Sequence, residues 1–312
     1  MGRNYETLWP FTSAMSAAGT FSSLPEPRSA ALLERLTHGL RAYVRDRRQF
    51  DSEQPLGFES AVVPPGGDVF FDDNTWLALA LVRAYELTDE QALLELASRV
   101  FDFVTTAWCS DTSWYLPGGL RWKDVPSNRS RNTCVNGPAT ELAALLYEKT
   151  HDERYLGWAT RIYSWTHSAL LGPDGIYVDQ IDPGGKVATD VYSYNQGSMI
   201  GAGVLLSRAT ADSTYLEQAV ATATSYLGRI SPGSLRSKND PMFNAVLFRN
   251  LLLLDKVRPH PDYVALGERY ADLMWESNRL PTGLFSGQGS LLNNTAAMLQ
   301  IYALLAGAAP HA

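Results

Sequence analysis

The sequence predicts an all-α fold, an (α/α)6 toroid of helical hairpins, on three observations. Apolar residues recur with the period of an α-helix along most of the chain. The helices come in pairs, an apolar first helix and an amphipathic second, joined by short polar turns. Long inserts rich in Gly, Asp, Asn, Trp and Tyr precede the first helix of each pair.

The elements follow in order. Residues 5–20 form a first helix, carrying Leu8-Trp9-Pro10-Phe11-Thr12-Ser13. Residues 28–47 give an amphipathic helix through Leu32, Leu33, Leu36, Leu40 and Val44. Residues 73–87 are rich in Leu and Ala and carry Trp76. Thr88-Asp89-Glu90 then starts a helix that runs to about Trp108 through Leu93, Leu94, Ala97, Val100, Phe101 and Val104, with Asp89 as its N-cap. The pairing recurs: 138–149 with 153–170, 195–209 with 213–229, and 241–256 with 262–276, before a last helix over 290–307. Three second helices share a polar or turn-forming start and an aromatic anchor, Tyr155, Tyr215 and Tyr263.

Such hairpins bury little alone and must stack, as an open solenoid or as a closed ring. The first helices are apolar all round (Leu77 to Leu81, Met199 to Leu206, Leu247 to Leu254), which suits an inner layer. Six inner and five outer candidates favour a six-hairpin toroid lacking one outer helix. The inserts, 48–71, 109–136, 171–193, 230–240 and 278–289, all precede inner helices and so gather on one face, where function usually sits. No proline-rich linker divides the chain, so 1–312 is expected to be one domain.

Composition narrows the function. Of 312 residues 45% are hydrophobic, which excludes a disordered chain. A net charge of −7 with scattered basic residues argues against a nucleic-acid partner. No apolar run is long enough to span a membrane. Five spread His and two Cys give no zinc-type spacing, so neither a metal nor another cofactor is expected. Met1–Glu6 lacks the apolar run of a secretory leader, which leaves the compartment open. Eight Trp and fifteen Tyr with only 19% charged residues fit either a large core or a cleft for a neutral, hydroxyl-rich ligand such as a sugar.

The sharpest candidate site is Phe70-Phe71-Asp72-Asp73-Asn74-Thr75-Trp76, where two adjacent carboxylates enter an apolar helix. Either Asp72 or Asp73 can simply cap the helix. Alternatively both face a pocket among aromatic rings, where close carboxylates separate their pKa values as glycoside hydrolysis requires. Tyr192-Ser193-Tyr194-Asn195-Gln196-Gly197 starts another inner helix. Its Asn195 and Gln196 amides suit sugar hydroxyls, or an ordinary cap and close packing. Trp122, after Gly118-Gly119, is a candidate stacking platform, with Tyr192 and Trp9, although Trp9 also fits a core position. Asn136 reads as an N-cap near the mouth. Cys109 and Cys134 both fall on the insert face, as a disulfide or as two free thiols. No Ser or Cys nucleophile with a matched His stands out, and His151 reads as a solvated turn residue.

Taken together, these motifs resemble glycoside hydrolase family 76, the α-1,6-mannanases. The resemblance rests on Leu8-Trp9-Pro10, Asp72-Asp73 before a Trp-bearing helix, Gly118-Gly119 with Trp122, Asn136-Gly137-Pro138-Ala139, Asp152-Glu153-Arg154-Tyr155-Leu156 and Tyr194-Asn195-Gln196-Gly197. It implies retaining, endo-acting hydrolysis of α-1,6-linked mannan, with Asp72 as nucleophile and Asp73 as acid/base. With the residue types at these positions, sugar contacts are expected from Trp9, Trp122, Asn136, Tyr192, Tyr194, Asn195 and Gln196, and the chain is expected to act as a monomer on an α-mannan substrate. Phe243-Asn244-Ala245 departs from the family's Phe-Lys-Gly. The rival readings are an exo-acting mannosidase, a transglycosylase or a sugar epimerase on the same toroid, or a non-catalytic carbohydrate-binding protein. An epimerase would want histidines on inner helices, where the sequence has none.

Overall fold

The computed structural model describes residues 5–22, 28–44, 47–62 and 67–308. Met1–Asn4, His311, residues 45–46 of the second expected helix and residues 63–66 of the first insert lie outside them. The helices are α1 (Leu8–Ser22), α2 (Arg28–Gly39), α3 (Arg47–Phe50), α4 (Phe71–Thr88), α5 (Gln91–Thr105), α6 (Thr133–Thr150), α7 (Glu153–Leu170), α8 (Ser193–Thr210), α9 (Ser213–Leu227), α10 (Pro232–Lys238), α11 (Pro241–Asp255), α12 (Pro261–Asn278) and α13 (Leu291–Ala308).

The inner ring follows from burial. α8 is buried without a break from Ser193 to Leu206, and α6 from Thr133 to Leu146. A helix that is buried all round must be surrounded by other elements. α1, α4, α6, α8, α11 and α13 each pack on the next, and α13 packs on α1, so the ring closes. The outer helices α2, α5, α7, α9 and α12 each lie against the inner helix before them. α5 shows why: it buries a single stripe through Leu93, Leu94, Ala97, Val100, Phe101 and Val104. The fold is therefore the closed (α/α)6 toroid and not the open solenoid.

The ring is tightest where α8 meets α11. A Cβ added at Gly197 would sit 2.7 Å from the Leu247 Cα. Gly197→Ala is expected to destabilise the fold by about 1–3 kcal/mol, measured by urea unfolding, because neither backbone can give way.

Several sequence expectations are corrected. The helix expected over 28–47 breaks after Gly39 into a 3₁₀ turn, Leu40–Tyr43. Asp89 does not cap α5; it closes α4 in the left-handed region at φ 57°, and Glu90 is the N-cap. The same two-residue turn recurs at His151–Asp152 and Ala211–Asp212, so the left-handed residue shifts each cap one place along. α6 starts at Thr133 and runs through Pro138, with Asn132 as its N-cap instead of Asn136. The Asn136 side chain holds that first turn by donating to the Asn132 carbonyl at 2.8 Å.

The inserts also form a small antiparallel sheet that the sequence does not announce. β1 (Arg131–Asn132), β2 (Gln180–Ile181) and β3 (Val187–Ala188) pair in that order, with Asn132 opposite Gln180 and Gln180 opposite Ala188. This sheet ties the insert before α6 to the insert before α8, over the mouth of the ring.

Candidate active site

The Asp pair sits in the first turn of α4, yet neither residue is the cap. Phe70 occupies that position with no side-chain cap bond, so capping does not account for the pair. The insert before α6 is strapped to this turn. Phe71 N–H donates to the Trp122 carbonyl at 2.9 Å, and Asp124 N–H to that of Val69 at 2.9 Å. The Phe70 and Trp122 rings meet 4.9 Å apart.

Both carboxylates line a cavity of about 520 Å³ at the insert end of the ring. Its wall is aromatic and comes from four inner helices. Trp9 (α1) lies 6.1 Å from both Trp76 (α4) and Phe243 (α11). Tyr194 (α8) stacks on Phe243 at 4.0 Å, and Tyr192 stands edge-on to both. Trp9, Trp122, Tyr192 and Tyr194 thus come together around Asp72 and Asp73, as the sequence suggests.

The two carboxyl groups have unequal surroundings. Asp72 Oδ2 accepts from Trp122 Nε1–H at 3.1 Å and from the Cys134 thiol at 3.5 Å. Burial raises Asp72 to about 6, while these donors and the backbone amides of the helix start act against it. Asp73 has no such donors and is pushed well above the usual carboxylate range by burial and by the neighbouring Asp72 charge. The pair therefore holds one proton over a range of pH, with Asp72 the better anion. Both cysteines are free buried thiols. Among the described residues, no cluster of three or more His, Cys, Asp or Glu could hold a metal ion.

Three residues expected to touch substrate do not line the cavity. The Asn136 amide accepts from Leu120 N–H at 2.8 Å and donates to the Leu120 carbonyl at 3.1 Å. Gln196 clamps Tyr177 in the same way, at 2.9 and 2.7 Å. Asn195 is buried behind the wall, facing Asp179. The Asn136 and Gln196 amides satisfy loop backbone instead of sugar hydroxyls, because both offer the same donor and acceptor pair.

The clamp is a repeated device. Asn74 binds both the N–H and the carbonyl of Phe58, and Asn294 both those of Gly289. Asn74, Asn136, Gln196, Asn244 and Asn294 all stand at the fourth position of an inner helix. Asn244 reaches one carbonyl of its insert, that of Leu235 in α10. Each clamp fixes the insert that leads into its own helix. Asn136→Ala leaves three buried hydrogen bonds unmade and is expected to cost about 3 kcal/mol in chemical unfolding.

The structure adds Asp179, Asn132 and Gln180 to the cavity lining. Asp179 is raised to about 6 by burial and by Asp190, with Asn132 and Asn195 opposing the shift. Its place depends on pairing with distant segments: its N–H donates to the Ala188 carbonyl and its carbonyl accepts from Thr133 N–H. Nothing near it in sequence signals this.

Comparison with known proteins bears on the same site. Residues 59–261 match the profile of glycosyl hydrolase family 76. The chain is 29% identical over 162 residues to the mannan endo-1,6-alpha-mannosidase DCW1 of Candida glabrata, covering 47% of this chain and 36% of that protein. It thus spans about a third of the length of the curated relatives it first matches. Among solved structures, the family 76 mannosidase from Bacteroides thetaiotaomicron VPI-5482 superposes with a TM-score of 0.83 at 22% identity, over 98% of this chain and 89% of that one. The GH76A α-1,6-mannanase from Salegentibacter sp. HEL1_6 superposes with a TM-score of 0.80 at 25% identity, over 99% and 91%.

Proposed function

The chain belongs to glycosyl hydrolase family 76, and we propose that it hydrolyses α-1,6-mannosidic linkages within mannan-type polysaccharides, with retention of configuration, the toroid serving as one catalytic domain. The observation that carries this reading is the unequal Asp pair in a cleft walled by aromatic rings. Substrate specificity follows the character of the relatives, which include endo-1,6-alpha-mannosidases and an α-1,6-mannanase.

In the proposed reaction a mannosyl unit lies over the pair. The Asp72 carboxylate attacks the anomeric carbon while Asp73 gives its proton to the departing glycosidic oxygen. The bond to that oxygen breaks as the Asp72–carbon ester forms. Asp73, now a carboxylate, takes a proton from water, which attacks the same carbon and releases Asp72. The inequality of the pair supports these roles: donors on Oδ2 and the amides of the helix start favour charge on Asp72, and that charge keeps the proton on Asp73. Trp9, Trp76, Tyr192, Tyr194 and Phe243 offer flat faces for sugar rings. Asp179, which lines the same cavity, offers a carboxylate to sugar hydroxyls.

The test is product analysis on linear α-1,6-mannan. A ladder of oligosaccharides is expected at early times. Mannose alone would exclude internal cleavage, and no product would exclude the substrate class.

The pair also sets a pH dependence. Activity needs Asp72 ionised and Asp73 protonated. Log kcat/KM should therefore rise with pH up to a limb near about 6, where Asp72 ionises, and fall at higher pH as the pair loses its remaining proton. A profile flat between pH 4 and 8 would contradict this assignment.

A further inference from the structure

Asp72 is held from two sides. Trp122 Nε1–H reaches Oδ2 from the insert before α6, and the Cys134 thiol reaches the same oxygen from the first turn of α6. Beside the thiol lies Tyr194 of α8, whose phenol interacts with it. Tyr194 in turn is fixed by its stack on Phe243 of α11. The thiol is buried, unoxidised and 3% exposed. Burial and the neighbouring carboxylates push its pKa up, so at neutral pH it keeps its proton and acts only as a donor.

We propose that Cys134 is a positioning residue for Asp72: backed by Tyr194, its S–H fixes the Asp72 carboxylate against α6 and stabilises the charge needed for attack. The proposal rests on the reading of Asp72 as nucleophile. A neutral donor suits this place. A lysine or arginine would neutralise Asp72 and so weaken its hold on the Asp73 proton. An apolar side chain would leave Trp122 as the only side chain bound to Oδ2. The remaining titratable groups facing the Asp72–Cys134 pair are Asp73 from α4, Asp179 from the insert before α8, Tyr192 at the cap of α8 and Tyr194 from α8. The acids among them all disfavour further negative charge. A donor to Asp72 thus has more effect here than at an exposed carboxylate.

The experiment compares Cys134→Ala, Cys134→Ser, Tyr194→Phe and the Cys134→Ala/Tyr194→Phe double variant on linear α-1,6-mannan. Cys134→Ala should lower kcat about ten- to a hundredfold, by analogy with the loss of outer-sphere partners at metal sites, and leave KM within about twofold. Its acidic limb should move to higher pH, since the lost donor favoured the ionised form. Cys134→Ser keeps a donor and should restore most of kcat and the position of the limb. Tyr194→Phe keeps the ring and should lower kcat, but add little in the Cys134→Ala background. Wild-type kcat and an unmoved limb in Cys134→Ala would overturn the proposal.

A second readout does not depend on the substrate. In a Cys109→Ser background, the infrared S–H stretch of Cys134 should shift as pH crosses about 6, and that shift should vanish in Asp72→Asn. A band that does not respond to pH would overturn the proposal even if the enzyme is active. Absence of mannan hydrolysis by the wild type would overturn the functional reading, while this band would still decide whether the thiol holds Asp72.

Discussion

Asp72→Asn and Asp73→Asn are each expected to remove mannan hydrolysis and to leave a more stable protein at pH 7. The loss should be about 10⁴-fold or more for Asp72, the proposed attacking group. For Asp73 it should be about 10²–10⁴-fold, the contribution of a positioned proton donor. The gain in stability follows from linkage. Both folded-state pKa values are raised above the unfolded value of 3.8. Stability from such groups is fully present below about 4 and is lost as pH rises through the folded value, about 6 for Asp72. At pH 7 an ionised Asp72 therefore costs on the order of 2–3 kcal/mol, which the neutral amide avoids. Thermal melts of wild type and variants should differ at pH 7 and converge towards pH 4. A merely structural pair would show the reverse, with the variants less stable at pH 7 and no selective loss of turnover.

The second large effect is expected at Arg131. Its side chain is wholly buried between Trp114 and Trp165, whose rings lie 5.2 and 5.1 Å from the guanidinium carbon. It donates to the carbonyls of Tyr115, Leu116, Gly118 and Asp182, at 2.6 to 3.1 Å. One side chain thus staples the insert before α6 to the turn between β2 and β3. Gly118 and Gly119 approach Trp165 so closely here that a Cβ at Gly119 would lie 2.4 Å from its ring. Arg131→Ala opens a cavity and removes four hydrogen bonds, the Leu116 carbonyl keeping Trp165 Nε1–H and the Asp182 carbonyl keeping Gly185 N–H, at an expected cost of about 3–5 kcal/mol. Arg131→Lys should recover little of this, since one ammonium cannot span the four acceptors of a planar fork. The insert also carries Trp122, so the surviving folded fraction of Arg131→Ala should show a lower kcat as Asp72 loses its indole donor. Chemical denaturation and single-temperature kinetics check the two effects separately.

How much of this was legible in the sequence differs residue by residue. The ring was legible because inner helices are apolar on every side, a pattern that only burial on every side explains. Asp72 and Asp73 were legible because charge is so rare on those helices. Trp9, Trp122, Tyr192 and Tyr194 were legible from their place beside helix starts on the insert face. Asn136 and Gln196 were misread because an amide bonds a peptide group as readily as a sugar hydroxyl pair. The signal that separates the two uses is positional: an amide four residues into five of the six inner helices marks a repeated clamp. Asp179 and Arg131 were hidden for another reason. Both depend on a sheet with strands two residues long, too short for any alternation to show. Asp89 was misplaced by one residue because the short turn spends a left-handed residue before the cap, and that position accepts Asp, His and Ala alike.

The clamps, the Arg131 staple and the sheet have one common consequence. The inserts are long, yet at the starts of five of the six inner helices their backbone is held by a side chain of the ring. Trp122 and Asp179 are therefore presented by rigid elements, which is what a pair of carboxylates with unequal pKa values requires of its surroundings.

The most direct measurement is the anomeric proton spectrum of linear α-1,6-mannan during the first minutes of hydrolysis, with Asp72→Asn and Asp73→Asn as controls. Wild type should release internal fragments whose new reducing ends appear first as the α-anomer, and neither variant should release them. First appearance of the β-anomer, or release by both variants, would contradict a double displacement through Asp72.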